Sequence, residues 1–133
     1  MKAALANYAA VAAGSALGAM VRYLVSLWLL ASPGGLPLGT LSVNLLGSIA
    51  IGLIATLSAG RWPLSLRMQL FLIGGFCGGF TTFSIFSLEV LTLAGTGAPG
   101  LALFYIGLSV ALWLAGAWLG NGAGEWLNRR PGR

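Results

Sequence analysis

The chain has 133 residues, of which 58% are hydrophobic and 7% charged, and its formal net charge is +5. That balance excludes an ordinary soluble domain and points to an integral membrane protein. Histidine is absent and Cys77 is the single cysteine, so the commonest general base, the commonest metal ligand and any internal disulfide or multi-cysteine metal site are excluded as well.

A spanning helix needs about 20 mostly apolar residues. Leu5–Ala31, Leu38–Ala59, Met68–Ala94 and Leu101–Leu119 meet that length. The first resembles a cleaved signal in its Lys2 and Ala-rich start. Its apolar run, however, outlasts an h-region of about 7–15 residues and contains Arg22, so a retained helix is expected. The connections SPGGLP, AGRWP and GTGAPG are short Gly/Pro turns, which predict antiparallel neighbours. The expected fold is an all-α membrane protein, one four-helix domain over residues 1–133 with a polar tail from 120 onward.

Charge gives the orientation. With four spans, Lys2, Arg61, Arg67, Arg129, Arg130 and Arg133 share one face, and Arg22 alone leans toward the other. The positive-inside rule then puts both termini in the cytoplasm. The basic excess serves topology and anionic lipid headgroups, and gives little support to a nucleic-acid role. Trp126 is expected at headgroup depth.

Along the first span, Gly14 and Gly18 have GxxxG spacing, as do Gly74/Gly78, Gly75/Gly79 and Gly116/Gly120 further on. Such pairs let helix backbones approach closely in lipid. The second span carries Thr40, Asn44 and Ser48 four residues apart, hence on one face. The third contains GGFCGGFTTFSIF (74–86). Its parts on either side, Met68–Phe76 and Ser84–Ala94, are each too short to cross about 30 Å of hydrocarbon. Glycines 78 and 79 weaken helix, and Thr81 and Thr82 compete for backbone hydrogen bonds. Two half-helices joined by a break around 77–82 are therefore expected. A continuous helix that uses its glycines for packing is the competing reading. A break leaves carbonyls and N–H groups free as ion ligands. Phe83, Phe86 and Glu89 follow at three-residue intervals, and Tyr105 and Ser109 lie four apart on the fourth span. Neutral donors together with ring edges, which are positive, suit a narrow route for an anion.

GSALGAMVRY (14–23), GTLSVN (39–44) with Gly47, and GFCGGFTTFSIF (75–86) resemble the Fluc/CrcB fluoride channels, and the likeness covers essentially the whole chain. The resemblance implies an antiparallel dimer with two fluoride pores along the interface and a structural, non-transported Na+ at its centre. The backbone carbonyls of Gly78 and Thr81, with the same pair from the partner subunit, would hold that sodium; neutral oxygens suit a hard monovalent cation. Phe83 and Phe86 would present ring edges to fluoride, Asn44 would donate to it, and Tyr105 and Ser109 would continue the track. Arg22 would sit near the aqueous vestibule and Glu89 near the opposite end, with Thr82 and Ser84 assisting. The implied activity is passive export of fluoride from the cytoplasm across a bacterial inner membrane, relieving fluoride toxicity without enzyme chemistry.

Two features depart from the family pattern. Ile85 stands where members often have Thr, and the charge bias is strong for a subunit that inserts both ways. The partner is therefore either a copy of this chain or a homologous subunit of opposite topology. The rival readings are a small four-span multidrug/proton exchanger, which requires an acidic residue that the first span lacks, and a non-transporting membrane subunit.

Overall fold

The computed structural model describes residues 1–29 and 35–129. Among these, four helical stretches are long and apolar enough to cross a membrane: Lys2–Trp28, Leu38–Ala59, Leu66–Gly95 and Pro99–Arg129. The first is α1 (Lys2–Trp28) and the second α2 (Leu38–Ala59). The third is composite. It begins as α3 (Leu66–Gln69), continues as a π-helical stretch (Leu70–Cys77) with i→i+5 bonding, and tightens again in α4 (Gly78–Phe80). After three non-helical residues the chain resumes as α5 (Ser84–Gly95), and α6 (Pro99–Arg129) completes the bundle.

Local chemistry explains several ends. Ser65 caps α3, its hydroxyl accepting from the Met68 N–H at 3.3 Å. Between α5 and α6 the chain turns through Gly97, whose φ of 89° belongs to the left-handed region. The Gly97 N–H donates to Ala94 O at 3.4 Å and the Ala98 N–H to Leu93 O at 3.0 Å, the two bonds of a Schellman motif. Pro99 then starts α6, where its missing N–H costs nothing.

Helices meet through glycine. A β-carbon on Gly14 would strike Phe71 O and, at 2.8 Å, Phe76 N; one on Gly18 would strike Phe76 O and, at 2.8 Å, Phe80 N. A β-carbon on Gly79 would strike Ser15 of α1. So α1 lies backbone to backbone against the π stretch and α4. In the same way Gly116 and Gly120 bring α6 against Leu45 and Ile49 of α2. The Gly74/Gly78 pair is different: both are exposed, with nothing near Gly74 and only Ile73 O, at 3.9 Å, near Gly78. Among the described residues this pair packs against no other helix.

The buried core is small: one cluster of Phe86, Leu93, Ala102 and Tyr105 has Leu41, Val90 and Trp113 against it, and Val43, Cys77 and Phe80 are also buried. Meanwhile Leu24, Leu88, Leu91, Leu103, Leu114 and Trp118 are exposed. A surface of this kind is matched to lipid, where apolar side chains need no burial.

Three boundaries differ from expectation. The first helix starts at Lys2 and ends at Trp28; Ala31, the expected end, and much of the first turn lie outside the described residues, as do Arg130 and Arg133. Cys77–Phe80, expected within the break, are helical, and the non-helical residues are 81–83. The fourth helix does not stop at Leu119 but runs on to Arg129. Its extension is stapled by Asn128, whose Nδ2 donates to Thr56 O at 2.9 Å and whose Oδ1 accepts from the Arg61 N–H at 2.9 Å. The Arg129–Glu125 pair, 3.3 Å apart, is exposed and adds little.

Candidate ion pathway

The site grows from the point where the third span leaves helical geometry. Thr81 has φ −83° and ψ 161°, an extended conformation that turns its carbonyl out of the helical ladder. Its N–H and hydroxyl both donate to Cys77 O, at 3.0 and 2.9 Å, which closes the end of α4. Thr82 is paired from α2. Its N–H donates to Asn44 Oδ1 at 2.7 Å, and its carbonyl accepts from Asn44 Nδ2 at 2.8 Å. One amide thus satisfies both main-chain groups of a residue that has no helical partners, as irregular backbone at membrane depth requires. The Thr82 hydroxyl accepts from the Ile85 N–H at 3.2 Å, starting α5, and lies 3.4 Å from Ser84 Oγ. From α1, Arg22 Nε donates to Gly79 O at 3.2 Å and Ser15 Oγ to Gly75 O at 3.4 Å. Gly47 leaves room for Thr81: a β-carbon there would strike the Thr81 methyl.

Beyond the interruption the aromatic residues gather. Phe83 and Phe86 have ring centroids 5.7 Å apart and tilted by 44°. Phe86 lies 5.1 Å from Tyr105 and 5.0 Å from Trp113, the latter nearly edge-on at 73°. Their settings differ, for Phe83 is 70% exposed and Phe86 6%. Below them Glu89 accepts two hydroxyls: Thr40 Oγ1 donates to Oε1 and Tyr105 OH to Oε2, both at 2.8 Å. A carboxylate with two charge-assisted bonds is a fixed feature of the wall.

Two cavities flank this line. One, of about 250 Å³, is bounded by Asn44, Ser48, Thr81, Thr82, Phe83 and Trp113. The other, of about 350 Å³, includes Arg22, Ser26, Thr40, Ile85 and Glu89 in its wall. Arg22 and Glu89, expected toward opposite ends, therefore face one cavity. That cavity is bordered by the end of α1, the start of α2 and the first turns of α5, which brings residues distant in sequence onto one wall. Asn44, expected to donate to an anion, is engaged with Thr82; of its two amide protons one is used there, leaving one donor. Ile85 lines the cavity that contains Arg22 and Glu89, so the hydroxyl missing at this position is missing from that wall.

Ser109 is fully buried beside the Tyr105 hydroxyl, and Trp113 Nε1 is buried with no hydrogen-bond partner among the described residues. Trp113 was not singled out from the sequence. Its signal is the four-residue step that leads from Tyr105 through Ser109 and on to Trp113 along one face of α6.

No group of His, Cys, Asp and Glu suited to a metal exists among the described residues. A cation bound here has to be held by neutral oxygens. The Thr81 carbonyl, out of the helical ladder, and the exposed Gly78 offer neutral main-chain oxygens of the kind that fit a hard monovalent ion.

A family model described as "CrcB-like protein, Camphor Resistance (CrcB)" matches residues 9–121. A protein of Agrobacterium fabrum named "Fluoride-specific ion channel FluC" is 46% identical over 120 residues, spanning 90% of this chain and 96% of that one. "Fluoride-specific ion channel FluC 1" of Bradyrhizobium diazoefficiens is 47% identical over 116 residues, covering 86% of this chain and 81% of its own. "Fluoride-specific ion channel FluC" of Hydrogenovibrio crunogenus is 47% identical over 117 residues, covering 87% and 89%.

Proposed function

This chain belongs to the CrcB-like family, and on that premise we propose that it is a fluoride-selective passive channel of a bacterial inner membrane. It is a multi-pass membrane protein and works as a channel, without enzyme chemistry. The observation that carries the reading is the clamp between Asn44 and Thr82, set beside the Phe83–Phe86 pair and the hydroxyl line of α6. It supports a third helix broken near mid-membrane, with the interruption serving ion passage.

In this reading fluoride sheds water for neutral donors and ring edges. Asn44, with its second amide proton, and Phe83 take the ion on one side; Phe86, Tyr105 and Ser109 carry it along α6, and Thr82 and Ser84 line the turn between. None of these groups bears a charge that would trap an anion, and conduction needs binding weak enough for exit. Arg22 draws the ion into the cavity that also contains Glu89. The Glu89 carboxylate, held by Thr40 and Tyr105, keeps those hydroxyls fixed.

Direction follows from chemistry. Hydrogen fluoride crosses lipid uncharged and ionises inside, where the anion is trapped. An inside-negative potential then drives the anion outward by about 2.3 kcal/mol per charge per 100 mV.

The functional unit is an antiparallel dimer, formed with a copy of this chain or with a homologous subunit of opposite topology. The exposed Gly74/Gly78 face supports a contact outside the subunit. A structural sodium held by the Gly78 and Thr81 carbonyls supplies positive charge between the subunits. Both termini of this chain face the cytoplasm. The exchanger reading is weaker, because α1 has neither Asp nor Glu for proton coupling.

Purified chain reconstituted in liposomes tests the proposal. With valinomycin clamping the potential, a fluoride electrode should record efflux that chloride-loaded vesicles do not match. Intact dimers in sodium, of this chain alone or with a homologous subunit of opposite topology, that pass no fluoride refute it.

A further inference from the structure

Trp113 stands apart from every other polar group near the pathway. Its Nε1 is buried without a hydrogen-bond partner among the described residues, whereas Ser109, one helical turn earlier, has the Tyr105 hydroxyl beside it. A donor sealed away from water with no acceptor is costly, and native proteins seldom leave one without a use. Trp113 also has a shared position. It borders the cavity of about 250 Å³ beside Asn44 and Ser48, and it borders the groove on the other side, formed with Phe83, Phe86, Ile106 and Val110. Its ring meets Phe86 nearly edge-on, 5.0 Å between centroids. An indole is a donor only, so it offers a passing anion a proton and offers a cation no lone pair.

We propose that the Trp113 indole N–H is a hydrogen-bond donor to the permeating anion, which makes Trp113 a specificity-determining residue of this chain's pathway. The inference rests on the fluoride-channel reading and deepens it. The N–H stands next in line after the Ser109 hydroxyl, so an ion leaving Ser109 meets a second neutral donor before reaching the Asn44 cavity. Access requires one wall to move, and Phe83, which borders both spaces and is 70% exposed, is the wall residue least confined. The compact fluoride ion gains more from a single strong donor than chloride does, because its charge is concentrated at shorter range. The indole therefore favours fluoride.

Two measurements test this. Trp113→Phe keeps an aromatic ring and removes the proton; fluoride efflux from liposomes should fall about tenfold, the worth of one hydrogen bond to a charged group. In the wild-type protein, indole N–H signals are followed by NMR while sodium fluoride or sodium chloride is added. The signal missing from Trp113→Phe should move downfield with fluoride, saturably, and stay still with chloride. That shift needs only wild-type protein, so it decides the matter even if the variant folds poorly. A wild-type channel that conducts fluoride while this signal ignores the ion overturns the inference. A signal that responds to dilution of the dimer but not to fluoride overturns it too, by giving the N–H to the partner subunit. If wild-type dimers, of this chain alone or with a homologous subunit of opposite topology, pass no fluoride, the channel reading itself has failed, a result distinct from the other two.

Discussion

Asn44→Leu is the sharpest test of the clamp at the helix interruption. Leucine matches asparagine closely in size, so the substitution leaves little void and isolates the hydrogen bonds. It removes both partners of Thr82, at 2.7 and 2.8 Å, from a site where Asn44 is only 5% exposed. A buried main-chain group left unpaired costs about 1–3 kcal/mol, so two such groups cost about 2–6 kcal/mol. Water entering the adjoining cavity of about 250 Å³ can recover part of that. The expected loss is about 2–4 kcal/mol, read from unfolding in mixed SDS and dodecylmaltoside micelles followed by circular dichroism. Asn44→Ala should cost more still, because it adds a void. Fluoride efflux should fall with both variants. An Asn44→Leu protein within about 0.5 kcal/mol of wild type, a margin typical of harmless surface changes, would show that Thr82 does not depend on the amide.

The other expectations concern rings, hydroxyls and close approaches. Phe83→Ile and Phe86→Ile should each slow fluoride efflux; thermal melts should separate them, with the exposed Phe83 nearly silent and the buried Phe86 losing about 1–2 kcal/mol of ring packing. Tyr105→Phe deletes the donor to Glu89 Oε2 and should destabilise by about 1–3 kcal/mol in the micelle titration, while Tyr8→Phe, at an exposed ring, should change nothing. Gly18→Ala drives a methyl into the Phe76 carbonyl and should displace α1 from the third span, visible as lost stability and lost efflux, whereas Gly122→Ala, with open space around it, should be neutral or slightly stabilising.

Much of the fold was legible because lipid leaves a strong mark on composition. The second helix runs Leu38–Ala59, between the Pro37 and Gly60 that punctuate it. What misled were the glycines. The chain from residue 120 onward reads as a polar tail, yet Gly120 and Gly124 lie in the helix with Ile49, Leu53 and Thr56 of α2 pressed against them. Gly79 likewise reads as a breaker but serves the contact with Ser15, so the helix continues to Phe80 and leaves its ladder only where Thr81 extends. That Arg22 and Glu89 border one cavity depends on a three-dimensional arrangement that no local pattern encodes. Trp113 escaped notice because a tryptophan in a membrane helix resembles any lipid-facing ring; only its buried, unpartnered nitrogen sets it apart.

The wide-wound stretch Leu70–Cys77 has an effect on alignment. Gly14 meets both Phe71 and Phe76, and Gly18 meets Phe76 and Phe80, so a five-residue pitch on one rod is matched to a four-residue pitch on the other. The two scales act as a vernier that sets the angular bearing of everything downstream. Removing one residue from the wide winding would rotate the following segment by about 100°, one residue's turn of an ordinary helix. Thr82 would then swing away from Asn44, and the two aromatic residues would swing with it. The bearing of the wall that carries Thr82, Phe83 and Phe86 is therefore set upstream, in a stretch that contains none of them.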